Sequence, residues 1–166
     1  LSRRDGAEFW RAIRSTLAYP SSSGVCASGA PPESENFNMI DHIGVSVADM
    51  SRAKAFYLSA LKPLGIGVIM EVSAEKTGAD AHAGFGADDK AFFWIGTGRK
   101  PKGGTHVAFA ARTRAEVDAF YQAAMGAGGR DNGAPGPRPH YHQHYYGAFV
   151  FDPDGNNVEA VCHRAS

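Results

Sequence analysis

Three residues of this chain are of the types and in the places from which a carboxylate and two imidazoles could act together: Glu159, His42 and His106. Glu159 lies in residues 149–161, FVFDPDGNNVEAV. There Asp152-Pro153-Asp154-Gly155 is a strong turn signal: Pro fixes φ, Asp bonds back to nearby backbone, and Gly accepts positive φ. Between two apolar runs this predicts a β-hairpin. In its second strand, alternation puts Val158, Ala160 and Cys162 on one face and Asn157, Glu159 and Val161 on the other. A carboxylate in mid-strand is costly unless it is solvated, paired or bound to a metal.

The two histidines open runs of one pattern, DHIGVSV at 41–47 and THVAFAA at 105–111, each followed by a helix signal, so the chain contains an internal repeat. In the first run Ile43, Val45 and Val47 form an apolar face, which leaves His42, Gly44 and Ser46 opposite. In the second, Val107 and Phe109 are apolar, which leaves His106, Ala108 and Ala110. Each histidine thus faces away from the helix that its strand packs on, beside small residues that leave room. With Glu159 they make a two-histidine, one-carboxylate set.

At these residues the sequence resembles the vicinal oxygen chelate superfamily, which includes glyoxalase I, extradiol dioxygenases, fosfomycin-resistance thiol transferases and bleomycin-binding proteins. The resemblance covers residues 39–163 and rests on the two strand-opening histidines and on DPDGN leading to Glu159. It implies an α+β fold of two βαβββ modules, whose curled mixed sheets surround a central metal cavity. Module one is residues 39–96, the linker 97–104 and module two 105–163. It also implies one divalent ion bound by His42, His106 and Glu159. Histidine and carboxylate ligands suit Fe, Mn, Co, Ni or Zn. The open positions left on such an ion let adjacent oxygens of a small substrate bind side by side, and stabilise an enolate or catecholate.

Departures from the subfamily patterns leave the reaction open. The glutamate that glyoxalase I supplies from its first module is matched here by Trp94, which can offer a flat apolar wall to a substrate ring but cannot bind metal. Phe149 stands where extradiol dioxygenases carry a tyrosine, and Gly44 where the thiol transferases carry a threonine. The expectation is a glyoxalase-like metalloenzyme, a lyase, isomerase or dioxygenase. The alternatives are a non-enzymatic binder of the bleomycin-resistance kind and an extradiol-type dioxygenase. Paired modules of this superfamily often assemble across a two-fold axis, so a homodimer is expected.

The elements that must position these residues are legible in order. Asp49 caps a helix whose stripe Met50, Ala53, Tyr57, Ala60, Leu61 and Leu64 covers the first strand's apolar face. A strand at 66–72, a polar loop at 74–80 and a hairpin at 81–96 around Ala87-Asp88-Asp89 complete module one. In module two, Thr113-Arg114-Ala115-Glu116 is a capping box, and Val117, Phe120, Tyr121 and Ala124 form the stripe of the second helix. Residues 130–147 have no evident counterpart in module one. They hold PRPHYHQHYYG, in which His140, His142 and His144 share a face if the run is extended. Lying just before the Glu159 hairpin, this segment is expected at the cavity mouth, with His142 and Tyr146 as catalytic groups and His140, Tyr145 and Trp94 as substrate contacts.

Composition excludes several classes. Seventeen basic and seventeen acidic side chains give a formal net charge of +0, so nothing points to nucleic acid. No apolar run approaches the roughly 20 residues of a membrane span. Cys26 and Cys162 form no CxxC, which fits free thiols in a cytoplasmic protein. Residues 1–38 read as an N-terminal extension: Phe9, Trp10, Ile13 and Leu17 recur at helical spacing, and a Ser/Gly/Pro-rich linker follows. Asp5 and Glu8 argue against a transit peptide, which is poor in acids.

Overall fold

The computed structural model describes residues 40–78 and 80–165; the expected N-terminal helix and linker, and Cys26, lie outside the described residues. From residue 42 onward the chain forms one compact unit. Its strands and helices run β1 (Ile43–Ser46), α1 (Met50–Leu61), β2 (Gly67–Val72), α2 (Ala74–Thr77), β3 (His82–Ala87), β4 (Lys90–Gly96), β5 (His106–Ala110), α3 (Arg114–Gly126), β6 (Arg130–Pro137), β7 (Tyr146–Phe151) and β8 (Asn157–Cys162). Two four-stranded sheets result, ordered β1-β4-β3-β2 and β5-β8-β7-β6, so each repeat is a βαβββ module with its first strand parallel to its last.

Local chemistry accounts for the boundaries. The Asp49 carboxylate accepts the Arg52 amide at 2.8 Å and starts α1. Thr113 accepts the Glu116 amide at 3.2 Å to start α3, and the Glu116 carboxylate reaches back one residue beyond the cap, to the Arg112 amide at 2.7 Å. At the β3–β4 turn, Asp88 and Asp89 both take positive φ, 50° and 60°, the conformation of a two-residue hairpin loop.

The helix stripes bury against the sheets as the alternation requires. Ala53, Phe56, Tyr57, Ala60 and Leu61 of α1 meet Val45, Phe85, Phe93 and Ile95, and Val117, Phe120 and Ala124 of α3 join Val150, Val158, Ala160 and Cys162 in the same core. An aromatic series, Tyr57 to Phe93 at 4.9 Å and Phe93 to Phe109 at 5.2 Å between ring centres, carries that core from one module into the other. Ile43, expected on the apolar face, is exposed, so Val45 and Val47 carry that face of β1.

Two expectations are corrected. Residues 74–77 are a single helical turn closed by Gly78 at φ 72°, not a loop. Residues 130–137, RDNGAPGP, form β6, the counterpart of β2, although two prolines and the lack of apolar alternation argue against a strand. The strand is an edge, paired only with β7, and its register shifts at Gly133. At an edge a proline forfeits no ladder bond that a neighbour needs.

Candidate functional site

Register places the proposed ligands. Ala108 pairs with Glu159 in module two, as Gly44 pairs with Trp94 in module one, so Trp94 and Glu159 are equivalent positions of the repeat. Both are buried, at 6% and 1% exposure, on the sheet face opposite Phe93 and Ile95 in one module and Val158 and Ala160 in the other.

Burying the Glu159 carboxylate is compensated at both oxygens. Oε1 accepts the Tyr145 hydroxyl in a short hydrogen bond, and Oε2 lies 2.9 Å from Nε2 of His106. The His106 side chain is 52% exposed, so this pair opens to solvent on the imidazole side. Gly147 makes the approach possible: a Cβ there would stand 3.1 Å from Glu159 Oε1 and 3.1 Å from the Tyr145 ring. Burial, reinforced by the hydrogen bond and the charge of Glu159, pushes the Tyr145 phenol well above its usual range. Tyr145 is therefore a fixed proton donor to the carboxylate. The 2.9 Å contact is a hydrogen bond between imidazole and carboxylate, and both groups are of the types that coordinate divalent ions.

His42 does not join them within one chain: among the described residues no three His, Cys, Asp or Glu side chains converge in a metal-sized group. It precedes β1 in module one, on a different sheet. Beside it a Cβ on Gly44 would meet nothing within 4 Å, whereas one on Gly84 would strike the Trp94 indole at 2.9 Å, so the indole lies over β3 and leaves the β1 side open.

The histidine-rich segment is not extended. Residues 138–145 fold into successive turns, closed by Arg138 N–H to Tyr145 O at 2.8 Å and Tyr145 N–H to His142 O at 3.0 Å. His140, His142 and His144 therefore do not share a face. His140 packs on Tyr141 at 4.3 Å, Tyr141 on Tyr145 at 5.2 Å, and Nδ1 of His142 accepts the His144 amide at 3.2 Å. His142 and Tyr145 both stand against His163, at 6.0 and 5.0 Å between ring centres. Sequence reading missed His163, which has no motif around it.

Tyr146 is expected from the sequence as a catalytic group. It pairs with Cys162, a core residue, and so faces α3 and not Glu159. Its hydroxyl donates to Asp118 at 2.8 Å and Arg114 lies over its ring at 5.2 Å. Tyr145 and Tyr146 are adjacent, and alternation allows only one of them the ligand face.

Among the described residues no helix is long and apolar enough to cross a membrane. A search of curated protein sequences finds no match. Among solved structures, the chain is similar to a glyoxalase/bleomycin resistance protein from Albidiferax ferrireducens, with 28% identity, a TM-score of 0.60, and coverage of 77% of this chain and all of that one. It shares its fold with a variant of maize glyoxalase I at 22% identity and TM-score 0.58, covering 74% of this chain but only 46% of the maize chain. It also shares its fold with a variant of the fosfomycin resistance protein of Listeria monocytogenes, solved with Mn(II) and 1S,2S-dihydroxypropylphosphonic acid, at 19% identity and TM-score 0.54, covering 72% and 88% of the two chains. The family model for these proteins matches residues 39–160, and with the paired βαβββ topology this means that the chain belongs to the Glyoxalase/Bleomycin resistance protein/Dioxygenase superfamily.

Proposed function

We propose that the protein is a glyoxalase-like metalloenzyme acting on a small molecule with adjacent oxygens. The observation that supports this most is the His106–Glu159 pair, a solvent-open imidazole 2.9 Å from a carboxylate that is otherwise fully buried. A divalent ion bound by these two residues and His42 would act as a Lewis acid, drawing the charge of an enolate or catecholate onto the substrate's adjacent oxygens. His106 and Glu159 hold their half of the ligand set. Tyr145 keeps the carboxylate oriented by donating to Oε1, which leaves Oε2 toward His106. Phe149, opposite Glu159 in the register, walls the site with an apolar ring and excludes water from that side.

His42 and Trp94 belong to the other module, and we assign their counterpart half-site to a second copy of the chain, in a homodimer that joins module one of each copy to module two of the other. That Mn(II) is bound in the listerial protein of this fold is consistent with a hard or borderline divalent ion here. The test is metal analysis with sedimentation on the purified protein: about one divalent ion per chain in a dimer is expected. Loss of that ion in His42→Ala, His106→Ala and Glu159→Ala, each still folded by circular dichroism, is expected with it. A metal content unchanged in all three variants overturns the reading.

A further inference from the structure

One charged side chain on the Glu159 face takes no part in the site just described. Arg138 follows β6, and its backbone bond to Tyr145 makes the two residues cross-strand neighbours on one face. Its guanidinium is fixed there: Nη2 donates to the Ala134 carbonyl at 2.7 Å and Nη1 to the Pro137 carbonyl at 3.3 Å. The guanidinium carbon lies 5.7 Å from the centre of the Phe149 ring, within cation–π range. Gly133 and Gly136 leave it room, since a Cβ on either would stand 3.5 or 3.0 Å from a guanidinium nitrogen.

Among the described arginines, Arg52 meets the carboxylate of Asp154 and Arg112 that of Glu116, whereas Arg114 and Arg130 lie over the rings of Tyr146 and Phe151, on the helix side and at the far end of the sheet. Arg138 meets none among the described residues: its partners are two carbonyls and a ring. A guanidinium fixed by two carbonyls and without a carboxylate partner, with N–H donors to spare, is organised to receive an oxyanion. Phe149 separates it from the ligand pair. His106 stands 6.3 Å from the ring centre on the β5 side, and Arg138 stands on the β6 side.

We infer that Arg138 anchors an anionic group of the substrate, so that the substrate class is a small carboxylate whose flat, unsaturated body lies over Phe149 with its adjacent oxygens at His106 and Glu159. This rests on the proposed role of that pair as metal ligands. Two probes that differ by one carboxylate test it: catechol and 3,4-dihydroxybenzoate, titrated calorimetrically into the full chain, metal-loaded and metal-free, as wild type, Arg138→Gln and Arg138→Lys. For the loaded wild type, dihydroxybenzoate is expected to bind about tenfold or more tighter than catechol, the gain from one charge-assisted contact. Arg138→Gln should erase that margin and leave catechol unchanged, and Arg138→Lys should restore part of it. A margin that survives Arg138→Gln, or a variant that loses both ligands equally, overturns the anchor and leaves chelation standing. Dihydroxybenzoate binding that needs Arg138 but no metal supports the anchor and overturns chelation. Binding of neither probe overturns both.

Discussion

The hydroxyl of Tyr57, on α1 of module one, donates at 2.6 Å to Oδ2 of Asp152, at the start of the turn that leads module two to Glu159. That carboxylate accepts three further bonds, from the Asp154 and Asn156 amides and the Asn156 side chain. The next acid of the turn, Asp154, reaches the Ala48 amide and the Arg52 guanidinium, both at 3.3 Å, just before and within α1. The DPDGN turn therefore does two things. It reverses the chain within one module and ties that module to the first helix of the other.

Tyr57→Phe removes one donor from a buried carboxylate and should cost about 2 kcal/mol, the range for hydrogen bonds to charged groups. Urea unfolding measures it, and the midpoint should fall without a change in slope. Burial first, then Asp152, raises the Tyr57 pKa far above its ordinary value of 10.0. The folded state thus holds a proton that the unfolded chain releases near pH 10, so this contribution is complete below about pH 10 and is lost as pH rises beyond it. The alkaline loss of stability should be shallower in Tyr57→Phe than in the wild type.

Tyr145→Phe should leave the fold intact and weaken metal binding by about 10- to 100-fold, the usual effect of removing a partner that orients a ligand. Glu159→Gln should weaken it further while keeping the side-chain volume. Competitive titration against a chelator of known affinity reads both. A Tyr145→Phe protein with wild-type metal affinity would show that the Oε1 bond serves packing alone.

Tyr146→Phe should change neither metal affinity nor turnover, because the hydroxyl meets Asp118 on the helix side of the sheet. A loss of about 1 kcal/mol in stability is expected from the missing bond.

Trp94→Glu places a carboxylate at the repeat equivalent of Glu159. With the half-sites joined in a dimer, it should add an oxygen ligand and tighten metal binding by Coulomb attraction, while removing the apolar wall and weakening ring-bearing ligands. Metal titration of the apo variant checks it. If Trp94 serves packing alone, the buried charge should lower stability by several kcal/mol with no gain in affinity.

His82 sits against Gly96, where a Cβ would come within 2.5 Å of Nδ1. Burial lowers its pKa below the ordinary 6.5, partly opposed by the charge of Asp80. The folded state therefore binds this proton less readily than the unfolded chain does. Its contribution is present above about pH 6.5 and is lost as pH falls through that value. Unfolding curves between pH 5 and 7.5 should show this slope in the wild type and a flatter one in His82→Gln.

Much of this protein is written in short-range pattern. The repeat of His42 and His106, the Asp49 and Thr113 caps, the helix stripes and the DPDGN turn each depend on residues within a few positions of one another, and a period of 2 or 3.6 assigns their faces. Hence the two modules, and the equivalence of Trp94 with Glu159, are legible in the amino-acid sequence alone. What only the tertiary structure decided depends on pairing partners far along the chain. RDNGAPGP is a strand because β7 offers it an edge. Tyr145 and not Tyr146 meets Glu159 because the β7–β8 register puts Tyr146 opposite Cys162, and a shift of one residue would exchange the two. Arg138 lies on Phe149 because glycines at 133 and 136 leave the space beside that ring. His42 stands apart from His106 and Glu159 for a similar reason: alternation orders the residues within a strand, but which sheet meets which is a matter of how the helices pack beneath them.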